Sequence, residues 1–369
     1  MMPSSGTFVG RAWVDAVDGP VLVAVRGDDL VDLSSVAPTC SHLLELDDPV
    51  AAIRTARAGA DPAGIGSRHR TQLLAPCDLQ AIKASGVTFV ASLLERVIEE
   101  QARGDASKAD AVRRSIVAII GDNLRSIRPG SPQARAVKET LVAQGAWSQY
   151  LEVGIGPDAE IFTKAQPMSA VGHDALIGIH PQSQWNNPEP EIVLAVNSRG
   201  RIVGATLGND VNLRDFEGRS ALLLGKAKDN NASCAIGPFI RLFDESFTLD
   251  DVRRCDVEVA VTGTDGFTFT ATSSMSQISR DPEELVGHAM GRHHQYPDGM
   301  MLFLGTMFAP TIDRFGPGQG FTHAVGDLVS VSTPALGTLV NRVEHTDAIA
   351  PWTFGTAALM KNLARRGLL

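Results

Sequence analysis

The chain after Tyr150 consists largely of short runs that carry apolar residues at alternate positions or in brief stretches, each bounded by Gly, Pro or Asn. Examples are EIVLAV, RIVGATL, DVEVAVTG and FTFTATS. Runs of this length and period are typical of β-strands. Asp265-Gly266 separates the last two runs, so we expect a tight hairpin there. The second half of the chain is therefore predicted to be β-rich.

The N-terminal part has a similar but smaller pattern. Residues 7 to 33 alternate apolar runs with the turn signals Asp18-Gly19-Pro20 and Gly27-Asp28, which predicts a β-meander. The segment from Ala51 to Ser67 mixes Ala, Arg and Gly, as in a loose helix and linker. We therefore expect a small N-terminal domain over residues 1–76, with its boundary near Pro76.

A helical segment separates these two β regions. Between Ser92 and Gln144, apolar residues recur with the helical period, in the groups Leu93, Leu94, Val97 and Ile98, and Ile116, Val117, Ile119 and Ile120. The breaks at Gly104-Asp105, at Gly121 and at Pro129-Gly130-Ser131-Pro132 predict several short helices rather than one rod.

Composition limits the class of partner. The 369 residues are long enough for two domains, and 44% hydrophobic with 20% charged residues is ordinary globular usage. A net charge of -9 argues against a nucleic-acid partner. No apolar run approaches the roughly 18 residues of a membrane span, so we expect no membrane partner. The first residues, MMPSSGTFVGRAW, do not resemble a leader, and four widely spaced cysteines suggest free thiols in the cytoplasm.

Three acidic residues form the main candidate site. Glu189 and Glu191 stand one residue apart at the entry of an apolar strand, so period-two geometry places both side chains on one face. A two-residue hairpin loop at Arg199-Gly200 would place Asp210 directly opposite Glu189, and a four-residue loop would keep it on that face.

Three converging carboxylates form an all-oxygen site that suits Mg²⁺, with Mn²⁺ as an alternative. The competing interpretation is a solvated strand edge, which Pro190 favours because proline is confined to edges and bulges. Lys226 and Lys228 follow at strand spacing, so at least one of them is expected beside an anionic ligand.

The ordered motifs resemble the fumarylacetoacetate hydrolase family over about residues 84 to 369. They are Glu189-Pro190-Glu191, Asn209-Asp210, Gly225-Lys226, Phe162-x-Lys164 and Gly305-Thr306. The resemblance implies an α+β protein: a β-rich mixed β-roll catalytic domain over residues 84–369, a helical lid over 92–145, and a small N-terminal α/β domain. It also implies a homo-oligomer, a dimer or larger.

Family members often carry G-x-N-Y-x-x-H-x-x-E near the start of this domain, with the His and Glu activating water. Here the segment is GVTFVASLLE, in which Gly86 and Glu95 match while Thr88, Phe89 and Ser92 replace Asn, Tyr and His. The missing histidine argues against hydrolysis of a C–C bond. Longer runs such as WNNPEPE and GNDVNLRDFEG resemble the branch that dehydrates 2-keto-3-deoxy-pentonates to 2,5-dioxopentanoate.

The resemblance also implies roles for individual residues around a 2-oxo acid substrate. Glu189, Glu191 and Asp210 would hold the metal, Lys226 and Lys164 would stabilise the enolate, and Glu95 would act as acid or base. Ser92 would orient a leaving hydroxyl or water, or else cap the helix with Glu95 reaching back. The remaining residues expected to bind substrate are Thr306, Gly305, Arg214, Thr88 and Phe89.

Two other functions stay open at this point. One is hydrolysis of an acylpyruvate or fumarylacetoacetate-type substrate or decarboxylation of oxaloacetate, which is the commoner chemistry of the family. The other is binding of a 2-oxo acid without catalysis.

Overall fold

The computed structural model describes residues 3, 5–56, 65–109, 111–114, 127–143, 147–307, 310 and 312–369. The strands are β1 (Phe8–Val14), β2 (Gly19–Arg26), β3 (Asp29–Asp32), β4 (Leu73–Leu74), β5 (Ala81–Gly86), β6 (Glu160–Ala165), β7 (Leu176–Ile179), β8 (Asn186–Asn187), β9 (Pro190–Val196), β10 (Ile202–Asp210), β11 (Asn212–Leu213), β12 (Cys234–Leu242), β13 (Asp256–Thr262), β14 (Thr268–Ser274), β15 (Met300–Phe303), β16 (Leu328–Thr333) and β17 (Gly337–His345). The helices are α1 (Cys40–Leu44), α2 (Pro49–Thr55), α3 (Val90–Ala102), α4 (Pro132–Ala143), α5 (Gln149–Ile155), α6 (Arg214–Glu217), α7 (Leu224–Lys228), α8 (Leu249–Val252), α9 (Pro282–Ala289) and α10 (Thr356–Arg365), and residues 111–114 are also helical.

A ten-stranded sheet runs through the molecule in the order β3-β2-β1-β12-β10-β9-β15-β5-β6, with β4 paired to β1. The predicted N-terminal meander is confirmed as β1 to β3. Its first strand pairs with β12, with Phe8 opposite Arg241, so the N-terminal strands extend the same sheet that carries β9 and β10. The domain boundary near residue 76 stays a prediction. Of the helix and linker expected over residues 51–67, α2 ends at Thr55, and residues 57–64 lie outside the described part of the chain.

A second, five-stranded sheet has the order β14-β13-β16-β17-β7. The hairpin predicted at Asp265-Gly266 is confirmed, because β13 and β14 pair up to Thr262 and Thr268. The two sheets share a core cluster that contains Val257, Val259 and Val261 from β13. These mixed sheets, with helices at their margins, form an α+β fold, as predicted.

Strand β9 lies in the middle of the large sheet, and all seven of its residues are buried. Ile192 and Leu194 belong to the core cluster shared by the two sheets, whereas Val193 and Ala195 belong to a second cluster on the opposite face. A strand covered on both faces is a continuous apolar run rather than an alternating one. This burial explains why EIVLAV is a continuous apolar run. It also means that a polar residue at the start of β9 lies inside the protein.

The helical segment between β5 and β6 consists of several short helices in its described part, as predicted. Helix α3 ends where Arg103 adopts a left-handed conformation with φ 55°, directly before Gly104. The periodic residues 116–120 and the break at Gly121 lie outside the described residues. In the part of the chain that the structure describes, no helix is long and apolar enough to cross a membrane.

Candidate active site

The three carboxylates predicted as metal ligands lie together. Glu189, Glu191 and Asp210 each offer an oxygen within 4.8 Å of the others, and each residue is at most 2% exposed. The Asp210 backbone N–H donates to the Glu189 carbonyl at 3.0 Å, so these residues face each other across β9 and β10. The sequence therefore identified both the group and its cross-strand arrangement.

Asp210 lies opposite Glu189 as predicted, but the connection between β9 and β10 differs from the one expected. A two-residue loop at Arg199-Gly200 is not present. Instead, the Asn197 N–H donates to the Arg201 carbonyl at 3.0 Å in a longer turn, and Val196 pairs with Ile202. One strand position further, Ala195 pairs with Gly204, so Val203 forms a bulge. That extra residue brings Asp210 opposite Glu189.

The alternative interpretation of a solvated strand edge is wrong. Strand β9 lies between β10 and β15, and Glu189 is 2% exposed. Pro190 is the first residue of the strand, a position where proline is tolerated inside a sheet. Glu189, the residue before this proline, is still hydrogen-bonded to β10, because its backbone N–H donates to the Asn209 side chain at 3.0 Å.

Three buried cations contact these carboxylates. Lys228 Nζ lies 2.5 Å from Glu189 Oε2 and 3.0 Å from Asp210 Oδ2, and Lys164 Nζ lies 2.9 Å from Asp210 Oδ1. Arg96 forms an ion pair with Glu189 Oε1. The three cations thus offset the charges of Glu189 and Asp210, in a region shielded from water where unpaired charge is costly.

The expectation that Lys226 lies beside the metal site is corrected by the structure. The segment LGKAK forms the short helix α7 rather than a strand. Residues two apart on a helix point to different sides. Lys226 is exposed, with its Nζ 5.1 Å from the centre of the Phe216 ring, whereas Lys228 points inward to the carboxylates. The structure therefore places Lys228, not Lys226, beside the three carboxylates.

Glu191 is held by the backbone of Gly305, whose N–H donates to Glu191 Oε2 at 2.7 Å. Burial raises the pKa of Glu191 well above its usual value, and the nearby Asp210 and Glu189 charges raise it further. The pKa of Asp210 is lowered: burial opposes the shift, but Lys164 and Lys228 outweigh it. Buried oxygens that repel one another fit a hard divalent cation such as Mg²⁺ or Mn²⁺.

Gly305 must be glycine at this position. Its φ is 100°, and a Cβ there would lie 1.9 Å from Thr88 Oγ1. The Thr88 hydroxyl donates to the Leu304 carbonyl at 2.6 Å, which fixes the segment that precedes Gly305. Thr306 follows as a buried residue, 5% exposed. Gly305 therefore lies next to Glu191, and the part of Gly305 and Thr306 in substrate binding stays a prediction.

Thr88 and Phe89 do not offer free groups to a substrate, in contrast to the prediction. The Thr88 hydroxyl is used by Leu304, and the Phe89 side chain belongs to the core cluster between the sheets. Phe89 is also the residue at which α3 begins. These two residues position the helix and the Gly305 segment.

Ser92 does not cap the helix, so the capping interpretation is wrong. Helix α3 already begins at Val90, and the Ser92 hydroxyl donates to the Phe89 carbonyl at 2.9 Å. Ser92 lies within the first turn instead, and its residue is 2% exposed. A role in orienting a hydroxyl or a water molecule stays a prediction.

Glu95 lies in an ion network rather than against the three carboxylates. Its side chain accepts from Arg113 at 2.9 and 3.1 Å and from Arg214 at 3.1 Å. Arg214 also donates to Glu99 at 2.6 Å and stacks on Trp185 at 4.2 Å. Arg214 therefore positions Glu95, and its predicted contact with substrate is not supported by this placement. The acid or base role of Glu95 stays a prediction.

Glu160 is a candidate that the sequence did not identify. Burial raises the pKa of Glu160, and Glu189 and Asp210 contribute to the rise, while Arg96 and Lys228 oppose it. Within the described residues, its carboxyl makes no hydrogen bond or ion pair. The opposite residue in β5 is Gly86, where a Cβ would lie 1.8 Å from Glu160 Oε2. The sequence gives no simple signal for Glu160, because the register of β6 shifts at Lys164 and interrupts the period of two between these residues.

Comparison with known proteins assigns the family. The model described as fumarylacetoacetate (FAA) hydrolase C-terminal matches residues 134–344, more than half of the chain. The "Probable 2-keto-3-deoxyxylonate dehydratase" of Haloferax volcanii is 30% identical over 213 residues, which are 58% of this chain and 68% of that protein. The 2-dehydro-3-deoxy-D-arabinonate dehydratase of Saccharolobus solfataricus is 31% identical over 185 residues, 50% of this chain and 58% of that protein.

The fold is also that of solved structures. A 2-keto-3-deoxy-D-arabinonate dehydratase complexed with magnesium and 2,5-dioxopentanoate aligns with a TM-score of 0.62 and 20% identity, over 92% of this chain and 99% of that one. The sequence match, the shared fold and the converging carboxylates agree with one another. This chain belongs to the fumarylacetoacetate hydrolase family.

Proposed function

We propose that this protein is a hydro-lyase that converts a 2-keto-3-deoxy-pentonate into 2,5-dioxopentanoate and water, with Mg²⁺ as cofactor and Mn²⁺ as an alternative. The observation that carries the proposal is the buried group Glu189, Glu191 and Asp210, in a chain about 30% identical to two proteins named as dehydratases of 3-deoxy sugar acids. The substrate is thus a small 2-oxo acid.

The three carboxylates would hold the ion. When bound, such an ion supplies Lewis acidity toward a chelating 2-oxo carboxylate and makes the neighbouring C3 proton easier to remove. Gly305 and Thr306 follow β15 beside Glu191 and are placed to hold the substrate carboxylate. The Gly305 N–H already donates to Glu191, so Gly305 would shape this segment and Thr306 would supply the donor to the substrate.

Two lysines supply fixed positive charge beside this group. Burial opposes the charge on Lys228, but Asp210 and Glu189 more than offset it and raise its pKa, so the ammonium stays protonated. Lys164 is fully buried and donates to the backbone carbonyl of Val211 at 3.3 Å. Both would therefore stabilise negative charge that develops on the C2 oxygen, and the raised pKa makes Lys228 unsuited to remove a proton.

Glu160 is our candidate for the proton transfers. A carboxyl with a raised pKa can accept the C3 proton and then protonate the C4 hydroxyl, which leaves as water. Transfer of a proton from C5 to C3 then gives an enol with a C4=C5 double bond. Loss of its hydroxyl proton and protonation of C4 give the aldehyde at C5, so that the net change is loss of one water molecule. Glu95 on α3 is the second candidate for one of these transfers.

The environment of Ser92 favours dehydration over hydrolysis. Its hydroxyl donates to the Phe89 carbonyl, and it replaces the histidine that relatives with hydrolytic activity use to activate water. Elimination needs no external nucleophile, since the leaving hydroxyl supplies the water. The experiment must therefore distinguish dehydration from hydrolysis of an acylpyruvate, decarboxylation of oxaloacetate and binding without turnover.

The test is incubation of the purified protein with both C4 epimers of 2-keto-3-deoxy-pentonate and Mg²⁺, with product identified by NMR. We expect 2,5-dioxopentanoate from at least one epimer, loss of activity in EDTA, and loss of Mg²⁺ binding in Asp210→Asn. Faster turnover of an acylpyruvate or oxaloacetate would favour those reactions, and saturable binding with no product would favour a binding protein.

We also propose a cytoplasmic location and a homodimer. The four cysteines are free and buried, as expected for thiols in a reducing compartment. Light scattering on the purified protein will measure the mass, and a monomer would contradict the dimer. We propose no nucleic-acid or membrane partner.

A further inference from the structure

Arg96 connects one of the metal-binding carboxylates to two other acidic residues. It lies on α3, and its side chain is 8% exposed. One terminal nitrogen pairs with Glu189, while the other donates to Glu99 at 2.7 Å and lies 3.2 Å from Glu217 Oε2. A single guanidinium is thus shared between Glu189 and two acids outside the metal site.

Arg96 differs from the two lysines around the same site, because its partners include the carboxylates of Glu99 and Glu217 outside the metal-binding group. Lys164 donates to the backbone carbonyls of Val211 and Lys228, in addition to pairing with Asp210. Lys228 lies between Glu189 and Asp210 and contacts both. Arg96 is held by carboxylates alone in the described structure, so it can change partner without breaking a backbone contact.

Glu217 is an acceptor that Arg96 does not fully use. It lies at the end of α6 and is 5% exposed. Its Oε2 is within ion-pair distance of Arg96, but it has no hydrogen-bond partner in the described structure. Burial raises the pKa of Glu217 to about 7 even with Arg96 nearby, which shows that the carboxylate is incompletely compensated. An arginine moving toward it would complete that compensation.

We infer that Arg96 neutralises Glu189 while no divalent ion is bound, and that it moves onto Glu217 when the ion takes Glu189. Arg96 already pairs with Glu189, so a dication bound by Glu189 would repel the guanidinium. Glu217 gives Arg96 a nearby alternative. Arg96 is therefore a positioning residue, and this inference rests on the proposed metal site.

The test measures Mg²⁺ affinity by titration calorimetry without substrate, in a double-mutant cycle of Arg96→Met and Glu217→Gln. Arg96→Met should bind Mg²⁺ at least about tenfold more tightly, because a competing charge is removed. Glu217→Gln should bind roughly fivefold more weakly, because Arg96 loses its alternative partner. In the double variant the Glu217→Gln effect should disappear, leaving the affinity of Arg96→Met.

Additive effects would overturn the inference. If Glu217→Gln weakens Mg²⁺ binding equally in both backgrounds, Glu217 acts directly on the ion and Arg96 does not exchange. Unchanged affinity in Arg96→Met would overturn it as well. A wild-type protein that binds no Mg²⁺ would instead refute the metal site of the proposed function, so the two failures are distinguishable.

Two controls support the interpretation. Glu100→Gln removes a negative charge, as Glu217→Gln does, but from the helix that carries Arg96. Glu100 pairs with Ser148 outside this network, so the Mg²⁺ affinity of this variant should stay within about twofold of the wild type. Arg96→Lys keeps the charge and should restore an affinity close to that of the wild type. Circular dichroism establishes that each variant is folded, and Glu217→Ala serves as the second variant if Glu217→Gln is unstable.

Discussion

Replacing Lys228 by methionine tests the centre of the structural argument. The lysine side chain is 3% exposed, and its Nζ contacts Glu189 at 2.5 Å and Asp210 at 3.0 Å. Breaking a buried pair by removing one partner costs about 3–5 kcal/mol, because the remaining charge is buried and uncompensated. Arg96 and Lys164 still contact the same carboxylates, so we expect the lower end, about 3 kcal/mol. A change of about 1 kcal/mol moves the melting temperature of a larger domain by about 2–4 °C, which predicts a loss of about 10 °C.

The assay is thermal unfolding in EDTA and in saturating Mg²⁺. The matched control is Lys226→Met, in the same helix two residues earlier, where the lysine is exposed. Its melting temperature should change little, since surface substitutions are usually within about 0.5 kcal/mol. Mg²⁺ should stabilise Lys228→Met more than the wild type, because the ion binds the folded state and replaces the missing charge.

Two results would refute this reasoning. Equal losses of stability in the two lysine variants would mean that Lys228 is not uniquely coupled to buried charge. A Lys228→Met protein that Mg²⁺ stabilises no more than the wild type would mean that the ion and the lysine do not act on the same carboxylates.

Three further predictions follow from other residues. In steady-state kinetics, Glu160→Gln should lower kcat by about 10²–10⁴-fold, while calorimetry should show Mg²⁺ affinity within about threefold of the wild type. An unchanged kcat would exclude Glu160 from the proton transfers. Because the pKa of Glu217 rises from 4.5 to about 7, the folded protein holds a proton between these pH values that the unfolded chain has lost. Its contribution to the free energy of unfolding therefore decreases as pH rises through that window. In Glu217→Gln, the free energy of unfolding measured with denaturant should depend less steeply on pH between these values, and the same slope as in the wild type would contradict the assignment. Gly305→Ala places a Cβ 1.9 Å from Thr88 Oγ1 and should displace the N–H that holds Glu191. Calorimetry should then show an Mg²⁺ affinity at least about tenfold weaker. An affinity equal to that of the wild type would show that the segment adapts.

The metal-binding carboxylates were predictable because their geometry is local. Glu189 and Glu191 share a strand face by period, and one turn connects that strand to the strand of Asp210. The same reasoning works for the hairpin between β13 and β14. In each case a single turn that the sequence marks clearly connects the two strands.

The rest of the site depends on contacts that the sequence does not mark. LGKAK is too short for its period to distinguish a helix from a strand, so the choice between Lys226 and Lys228 was wrong. Glu160 acquires its environment from β5 and β9, far away in the chain, and Arg96 from packing of α3 against Glu189 and Glu217. The direction of a helix face is decided by tertiary packing, which period alone does not specify.

The bulge at Val203 limits how the length of this region can vary. Side chains alternate between the two faces of a strand, so deleting one residue between the turn and Asp210 would rotate the aspartate away and present Val211 in its place. An apolar side chain would then stand where the third carboxylate is needed. Loops are usually the most permissive places for insertions and deletions, but here parity matters: changes of two residues preserve the orientation of Asp210, whereas a change of one residue removes a ligand without altering any residue of the site.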